Sequence, residues 1–161
     1  MWFYKKNHSG NANTTYLDLE TYLNLYINFK LKVLEAKESG LDKDTAYTRE
    51  IRNYEYAMRS QKKASKTNAE YSFIMNEYRD AVLMFNISEK KIWDKVQNDE
   101  TQVLAFYEQH KERYGQRPFD DVKGQVITDF QQKIEDEWTT DLRKRFSIKI
   151  HQNELRKLAK L

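Results

Sequence analysis

Residues 119–142, FDDVKGQVITDFQQKIEDEWTTDL, carry an apolar side chain at every third or fourth position. This spacing matches the repeat of an α-helix and predicts one amphipathic helix of about six turns. Pro118, the single proline of the chain, lies directly before the pattern and favours a helix that starts near Phe119. The apolar positions are Phe119, Val122, Val126, Phe130, Ile134, Trp138 and Leu142.

Helical spacing predicts two further long helices near the start of the chain. The first covers Leu17–Lys37 and ends near Gly40, because glycine favours the backbone conformation that closes a helix. The second follows Asp44, which can cap its first turn, and runs to near Lys62. The polar and basic stretch Gln61–Asn68 favours a connection after it.

The middle and the end of the chain add shorter elements. A third helix is predicted over Ala69–Phe85, and Ser88 and Asp99 are predicted to cap a fourth and a fifth. Phe146–Ile150 alternates apolar and polar residues, which indicates a half-buried strand, and Asn153–Leu161 indicates a short final helix. The predicted fold class is mainly α, with six to seven helices and at most a small β element near the C-terminus.

Composition narrows the classes of function. The 161 residues include 33% charged residues, 4 Gly and 1 Pro, which is typical of a single, mostly helical module. A formal net charge of +3 falls short of the basic excess of a dedicated nucleic-acid-binding protein. The lack of cysteine excludes disulfides, thiolate zinc sites and cysteine nucleophiles.

The sequence offers no catalytic constellation. His8, His110 and His151 are far apart and show no metal-ligand spacing, and no glycine-rich phosphate loop is present. Neighbouring carboxylates such as Asp120 and Asp121 point to different sides of a helix instead of converging on a substrate. We therefore expect no catalytic residue, no metal and no cofactor.

The aromatic content suggests binding of apolar peptides. Aromatic residues make up 14% of the chain, and 11 of them are tyrosine. Most such residues at helical spacing belong to a core, but large amphipathic rings together with methionine also form adaptable apolar grooves. The predicted peptide-binding residues are Tyr26, Phe29, Tyr54, Met58 and Phe73.

Three stretches resemble the SurA-type periplasmic chaperones and peptidyl-prolyl isomerases, particularly their Bacteroidetes-like branch. The first is YLNLYINFKLKV at 22–33, which is similar to the N-terminal chaperone helix of that family. The second comprises EYRD at 77–80, LMF at 83–85 and WDK at 93–95. The third comprises VKGQV at 122–126, DFQ at 129–131, EW at 137–138 and LRK at 142–144, followed by the strand at 146–150.

The resemblance implies one chaperone-like module over residues 1–161. An N-terminal helical part, 1–114, would pack with a C-terminal part, 119–161, that contains the long helix, the strand and the short helix. Gly115–Pro118 would be the junction at which the family carries its parvulin domains. Because no parvulin domain is present between these parts, we expect no isomerase activity from this chain, although a full-length parent could be an isomerase.

The function expected from the resemblance is that of an ATP-independent, periplasmic holdase-type chaperone core. Its partners would be unfolded or nascent envelope proteins, including outer-membrane proteins, bound through aromatic-rich segments, with no nucleic acid and no stable membrane insertion. Periplasmic location rests on the resemblance alone, since Met1–Tyr4 followed by Lys5 and Lys6 has the wrong order for a signal peptide.

A scaffold or oligomerisation module is the alternative. Its basic C-terminal end would dock an acidic partner or a membrane surface. The strand at Phe146–Ile150 would need a partner, so we also expect a homodimer through this segment or coverage by the N-terminal residues. The basic residues are Arg143, Lys144, Arg145, Lys149, Arg156, Lys157 and Lys160.

Overall fold

The structure is a computed structural model that describes residues 15–61 and 69–158. Within these two ranges the chain is helical and contains no strand, which confirms the predicted mainly α fold. The α-helices there are α1 (Tyr16–Glu38), α2 (Thr45–Gln61), α3 (Ala69–Ser88), α4 (Asp94–Asn98), α5 (Glu100–Gln109), α6 (Phe119–Arg145) and α7 (Gln152–Leu158). They are linked by 3-10 turns at Leu41–Lys43 and Lys111–Tyr114 and by a π-helical turn at Glu89–Trp93.

Three predicted helix boundaries are confirmed. Gly40 adopts the left-handed conformation with φ of 74° after the end of α1, as expected for a closing glycine. Asp44 accepts a hydrogen bond from the backbone N–H of Ala46 at 2.7 Å at the start of α2. Asp99 accepts one from the backbone N–H of Gln102 at 3.1 Å and caps α5.

The predicted cap at Ser88 is wrong, because the helix continues through this residue. Ser88 has helical angles (φ −67°, ψ −39°), and its hydroxyl lies 3.6 Å from the sulfur of Met84 instead of capping a new helix. The π-helical turn that follows places the buried Ile87 and Ile92 one π turn apart, so both still face the interior. Burial of the flanking isoleucines thus outweighs the capping preference of serine.

The first core lies among α1, α2 and α3. Tyr26 on α1 contacts Glu77 on α3, and Lys37 further along α1 contacts Asp80 further along α3, so these two helices run in parallel. The connecting helix α2 returns in the opposite direction. The buried residues of the first core are Val33, Ala36, Leu41, Tyr47, Ile51, Tyr71, Met75, Val82, Leu83 and Ile87.

The second core lies among α4, α5 and the first half of α6. The junction Gly115–Pro118 belongs to it as a packed turn, because the hydroxyl of Tyr107 donates to the carbonyl of Arg117 at 2.5 Å. The buried Tyr114 donates to Asp129 on α6 at 3.0 Å. The buried residues of the second core are Val96, Val103, Phe106, Tyr107, Tyr114, Val122, Val126 and Phe130.

A buried carboxylate ties the second half of α6 to the first core. Glu35 on α1 accepts hydrogen bonds from the indole N–H of Trp138 at 2.5 Å and from the ammonium of Lys91 at 3.0 Å. Arg145 approaches the same carboxylate at 3.5 Å. Burial would raise the pKa of Glu35, but these donors outweigh burial and lower the pKa below its ordinary value.

Acid is therefore expected to weaken the contact that Glu35 makes between α1 and α6. Because the pKa of Glu35 is lower in the folded than in the unfolded chain, its contribution is fully present above the unfolded value and is lost as pH falls through the folded value. We expect urea midpoints to decrease below about pH 5, and to decrease less for Glu35→Gln, which has no carboxylate to protonate. Equal acid dependence of the two proteins would contradict this assignment.

The predicted strand at Phe146–Ile150 is wrong for the residues that the structure describes. The segment starts in extended conformation at Phe146 (φ −102°, ψ 138°) but pairs with no strand there, and Ile148 is partly exposed. It connects α6 to α7, which packs Leu155 against Leu19 of α1. The N-terminal residues that were predicted to cover this segment as an alternative lie outside the described residues, as does the predicted connection after α2 at 62–68.

Candidate binding groove

Two of the predicted peptide-binding residues, Tyr26 and Phe29, lie together on α1. Their ring centroids are 5.9 Å apart, and both rings are half-buried. The hydroxyl of Tyr26 donates to Glu77 at 3.1 Å, and the ammonium of Lys30 lies 5.0 Å from the Tyr26 ring centroid and 5.1 Å from that of Phe29. Both aromatic residues therefore already have partners within the α1/α3 interface.

Lys30 organises that interface. Its ammonium donates to Asp80 at 2.7 Å and to Glu77 at 2.9 Å. Burial opposes its positive charge, but the hydrogen bonds to both carboxylates outweigh burial and raise the pKa of Lys30. The ammonium thus stays charged over the physiological range and holds α1 against α3.

The other three predicted residues are also half-buried. The ring of Tyr54 on α2 stacks on that of Tyr78 on α3, with centroids 3.6 Å apart and planes 10° apart. Met58 packs against the first core, and Phe73 lies on α3, one turn before Glu77. A role of all five residues in peptide binding stays a prediction, and none of them lines the cavities between α2 and α3.

Those cavities form one groove, which we call the α2/α3 groove. The wide end has a volume of about 600 Å³ and the narrow end about 380 Å³, and both are lined by Asn76 and Arg79. The wide end is also lined by Lys37, Asp42, Tyr47, Thr48, Ile51 and Asp80. The narrow end is also lined by Glu55, Arg59, Tyr71, Ser72 and Met75.

Short polar residues on the facing helices explain why a groove exists. Thr48 and Ile51 lie one turn apart on α2, and Ser72, Met75 and Asn76 share a face of α3. Ile51 and Met75 are buried and form an apolar floor, while the three polar side chains are exposed. These side chains are too short to fill the space between the two helix axes.

The charges along the groove are only partly neutralised by one another. At the narrow end, Arg59 pairs with Glu55 and donates to the hydroxyl of Tyr71 at 3.2 Å. At the wide end, Arg79 forms one hydrogen bond within the described residues, to Asn76 at 3.1 Å. Its remaining N–H donors are available at the cavity. The Oδ1 atom of Asp42 has no hydrogen-bond partner within the described residues but is buried and closed to solvent.

A separate cavity of about 400 Å³ lies beside the second core. It is lined by Asp129, which accepts from Tyr114, and by His110, whose Nδ1 lies 2.8 Å from the carbonyl oxygen of Phe106. Gln132 donates to Asp136 at 2.9 Å and Lys133 pairs with Glu137 at 2.8 Å, so most polar groups of this cavity are paired within the molecule. No group of three His, Asp or Glu side chains suited to a metal ion occurs in the described part of the chain.

Sequence reasoning missed the α2/α3 groove. Ser72 and Asn76 have the character of a solvated helix face, and their spacing alone does not show that a second helix lies opposite. The sequence signal was Met75 between these two residues, since methionine is common at adaptable binding surfaces.

Comparison with protein-family models, with curated proteins and with solved structures finds no match to this chain. Among the described helices, none combines the length and the apolar character needed to cross a membrane.

Proposed function

We propose that this chain is a non-covalent, ATP-independent holdase-type chaperone core that binds unfolded polypeptide segments in the α2/α3 groove. The observation that supports this proposal most strongly is an open groove that has an apolar floor and a polar rim, on which Arg79 makes one hydrogen bond within the described residues. Such a surface suits polypeptide, which offers apolar side chains and main-chain polar groups side by side.

The floor favours weak and reversible capture of varied side chains. Met75 is 1% exposed and Ile51 is 8% exposed, so the floor presents only a small apolar area to a bound segment. Burial contributes about 25 cal/mol per Å² of apolar area, and much of it is offset by the cost of ordering a flexible segment. A groove of this size is therefore suited to holding several chain segments in turn.

The resemblance to SurA-type proteins adds the cellular setting of the proposal. It implies a periplasmic protein whose clients are envelope and outer-membrane proteins, bound through aromatic-rich segments. The packing of α6 on α1 through Glu35 and Trp138 agrees with the joint N-terminal and C-terminal module that the resemblance implies. We further propose that the chain catalyses no proline isomerisation, since the resemblance implies that the Gly115–Pro118 turn is the junction at which the family carries its parvulin domains.

The scaffold alternative is less well supported, because much of the basic C-terminal end is neutralised within the molecule. Lys144 pairs with Asp141 at 3.2 Å, and Arg145 pairs with Glu38 at 2.9 Å. Lys157 pairs with Glu154 at 2.7 Å. These contacts leave a smaller basic surface for an acidic partner or a membrane than the sequence suggests.

Blocking the groove is expected to weaken client binding without unfolding the protein. Asn76 lines both ends of the groove and is exposed, so Asn76→Trp places a large ring in it. We expect about tenfold weaker client affinity, which corresponds to roughly 1.4 kcal/mol. The measurement is suppression of aggregation of a urea-unfolded outer-membrane protein upon dilution, at stoichiometric ratios.

Asn53→Trp is the matched control, because Asn53 is exposed on α2 and lines neither cavity. It should suppress aggregation as well as the unchanged protein does. Equal activity of both variants would contradict the groove as the binding site. No suppression by the unchanged protein would favour the scaffold, and proline isomerisation in the same samples would contradict the non-enzymatic assignment.

A further inference from the structure

Two tyrosine rings lie in direct contact between α2 and α3, outside the α2/α3 groove. The ring centroids of Tyr54 and Tyr78 are 3.6 Å apart, and the ring planes differ by 10°. Most aromatic pairs in proteins have centroids about 4.5–7 Å apart and are offset or tilted. The face-to-face arrangement of this pair therefore brings the carbon atoms of the two rings unusually close.

The other tyrosine pairs among the described residues are less suited to a reaction between rings. Tyr22 and Tyr26 also stack, but their centroids are 6.5 Å apart. Tyr107 and Tyr114 have centroids 5.9 Å apart, their planes are tilted by 31°, and both rings are buried. Close ring contact near the surface is thus a property of the α2/α3 pair in the described part of the chain.

Tyr78 has a proton acceptor in place. Its hydroxyl donates to the carboxylate of Glu50 on α2 at 3.1 Å. Burial and the hydrogen bond to Glu50 both raise the pKa of Tyr78, so the hydroxyl keeps its proton at neutral pH. A phenol becomes strongly acidic once it has lost an electron, and Glu50 is positioned to take the proton that is then released.

Both rings are also within reach of a small oxidant. They are half-buried, and Glu50 beside them is exposed. The chain has no cysteine, so no thiol of the protein competes for the oxidant. The pair thus combines ring contact, a proton acceptor and access from solvent.

We infer that Tyr54 and Tyr78 form a site of oxidative modification, at which a one-electron oxidant produces a dityrosine cross-link between α2 and α3. Each tyrosine gives one electron to the oxidant and releases its phenolic proton, to Glu50 from Tyr78 and to water from Tyr54. The two phenoxyl radicals then form a carbon–carbon bond between ring positions next to the hydroxyl-bearing carbons. The hydrogen atoms of these two positions move to the oxygens as protons, so the product has lost two electrons and two protons in total. Because the rings are already in contact, this coupling is favoured over reactions that need diffusion.

Photochemical oxidation of the whole chain tests the inference. The oxidant is tris-bipyridyl ruthenium with persulfate, which takes up two electrons per persulfate and yields two sulfate ions. The protein is irradiated at low concentration, digested with trypsin and analysed by mass spectrometry. We expect peptide 53–59 joined to peptide 67–79 with the loss of two hydrogen atoms, and fragment ions that place the bond between Tyr54 and Tyr78. The yield should exceed that of any other tyrosine pair about tenfold, since ring contact favours coupling.

Variants that keep the aromatic ring separate the reaction from packing. Tyr54→Phe and Tyr78→Phe each remove one phenol but keep the stacked ring, so each should abolish this cross-link. Tyr56→Phe is the matched control, because Tyr56 lies on α2 and is 76% exposed, and it should leave the yield unchanged. Glu50→Gln should form the cross-link several-fold more slowly, since an amide does not take up the proton.

Two results would overturn the inference. One is dityrosine that forms mainly at another tyrosine pair. The other is the lack of a cross-link between Tyr54 and Tyr78 while a tyrosine-containing peptide in the same sample is oxidised. An unchanged rate in Glu50→Gln would overturn the role of Glu50 as the proton acceptor. The proposed chaperone function is tested separately, because neither ring lines the α2/α3 groove.

Discussion

Replacing Glu35 with alanine is expected to lower the free energy of unfolding by about 3 kcal/mol. The side chain is 10% exposed and accepts from Trp138 and Lys91, so its removal leaves the indole N–H without its partner inside the α1/α6 interface. Lys91 and Arg145 are more exposed and can turn to water, which keeps the loss below that of a fully buried ion pair. The measurement is urea unfolding followed by circular dichroism.

Glu38→Ala is the matched control for this prediction. Glu38 lies one turn after Glu35 on α1, its side chain is 57% exposed, and it pairs with Arg145 at 2.9 Å. An exposed ion pair contributes little, so we expect a loss below about 1 kcal/mol. Similar losses for the two variants would show that the buried carboxylate has no special role in holding α6 against α1.

Truncating Leu83 to alanine is expected to destabilise the whole molecule by about 3 kcal/mol, through the cavity that it leaves in the first core. Leu83 is fully buried, whereas Leu25, at 64% exposed, gives a matched Leu→Ala control with an expected loss below about 0.5 kcal/mol. Because α6 and the continuous α3–π turn–α4 segment connect both cores, we expect one cooperative transition.

The probes for this experiment are circular dichroism and tryptophan fluorescence, recorded on the same denatured samples. Their unfolding curves should coincide for the unchanged protein and for Leu83→Ala. Two separate transitions, with only one of them shifted by Leu83→Ala, would contradict the coupling of the two cores through α6.

The helices of this chain could be predicted because their spacing and end residues point to the same boundaries. Gly40, Asp44 and Asp99 each lie at the helix end that their conformational preference predicts. Ser88 does not lie at a helix end, because the helix continues through a π turn that keeps both Ile87 and Ile92 buried. Local preference predicts a boundary only where packing does not oppose it.

The candidate site was less predictable, because spacing shows which residues share a helix face but not what lies opposite. Tyr26 and Tyr54 were predicted to bind peptides, and the structure shows each of them half-buried against a side chain of α3. Thr48 and Asn76 line the wide end of the α2/α3 groove, and Ser72 and Asn76 line its narrow end. The groove therefore depends on how α2 packs on α3, which is a tertiary property. Phe146–Ile150 likewise alternates like a strand, but it has no pairing partner among the described residues.

Protection of an introduced thiol tests the central claim, binding of unfolded chains in the α2/α3 groove, most directly. The chain has no cysteine, so Ser72→Cys on the groove rim and Asn53→Cys outside it each create a single reactive site. We expect saturating amounts of an unfolded outer-membrane protein to slow alkylation at position 72 several-fold, in proportion to client bound, and to leave position 53 unaffected. Equal rates at position 72 with and without bound client would contradict this claim.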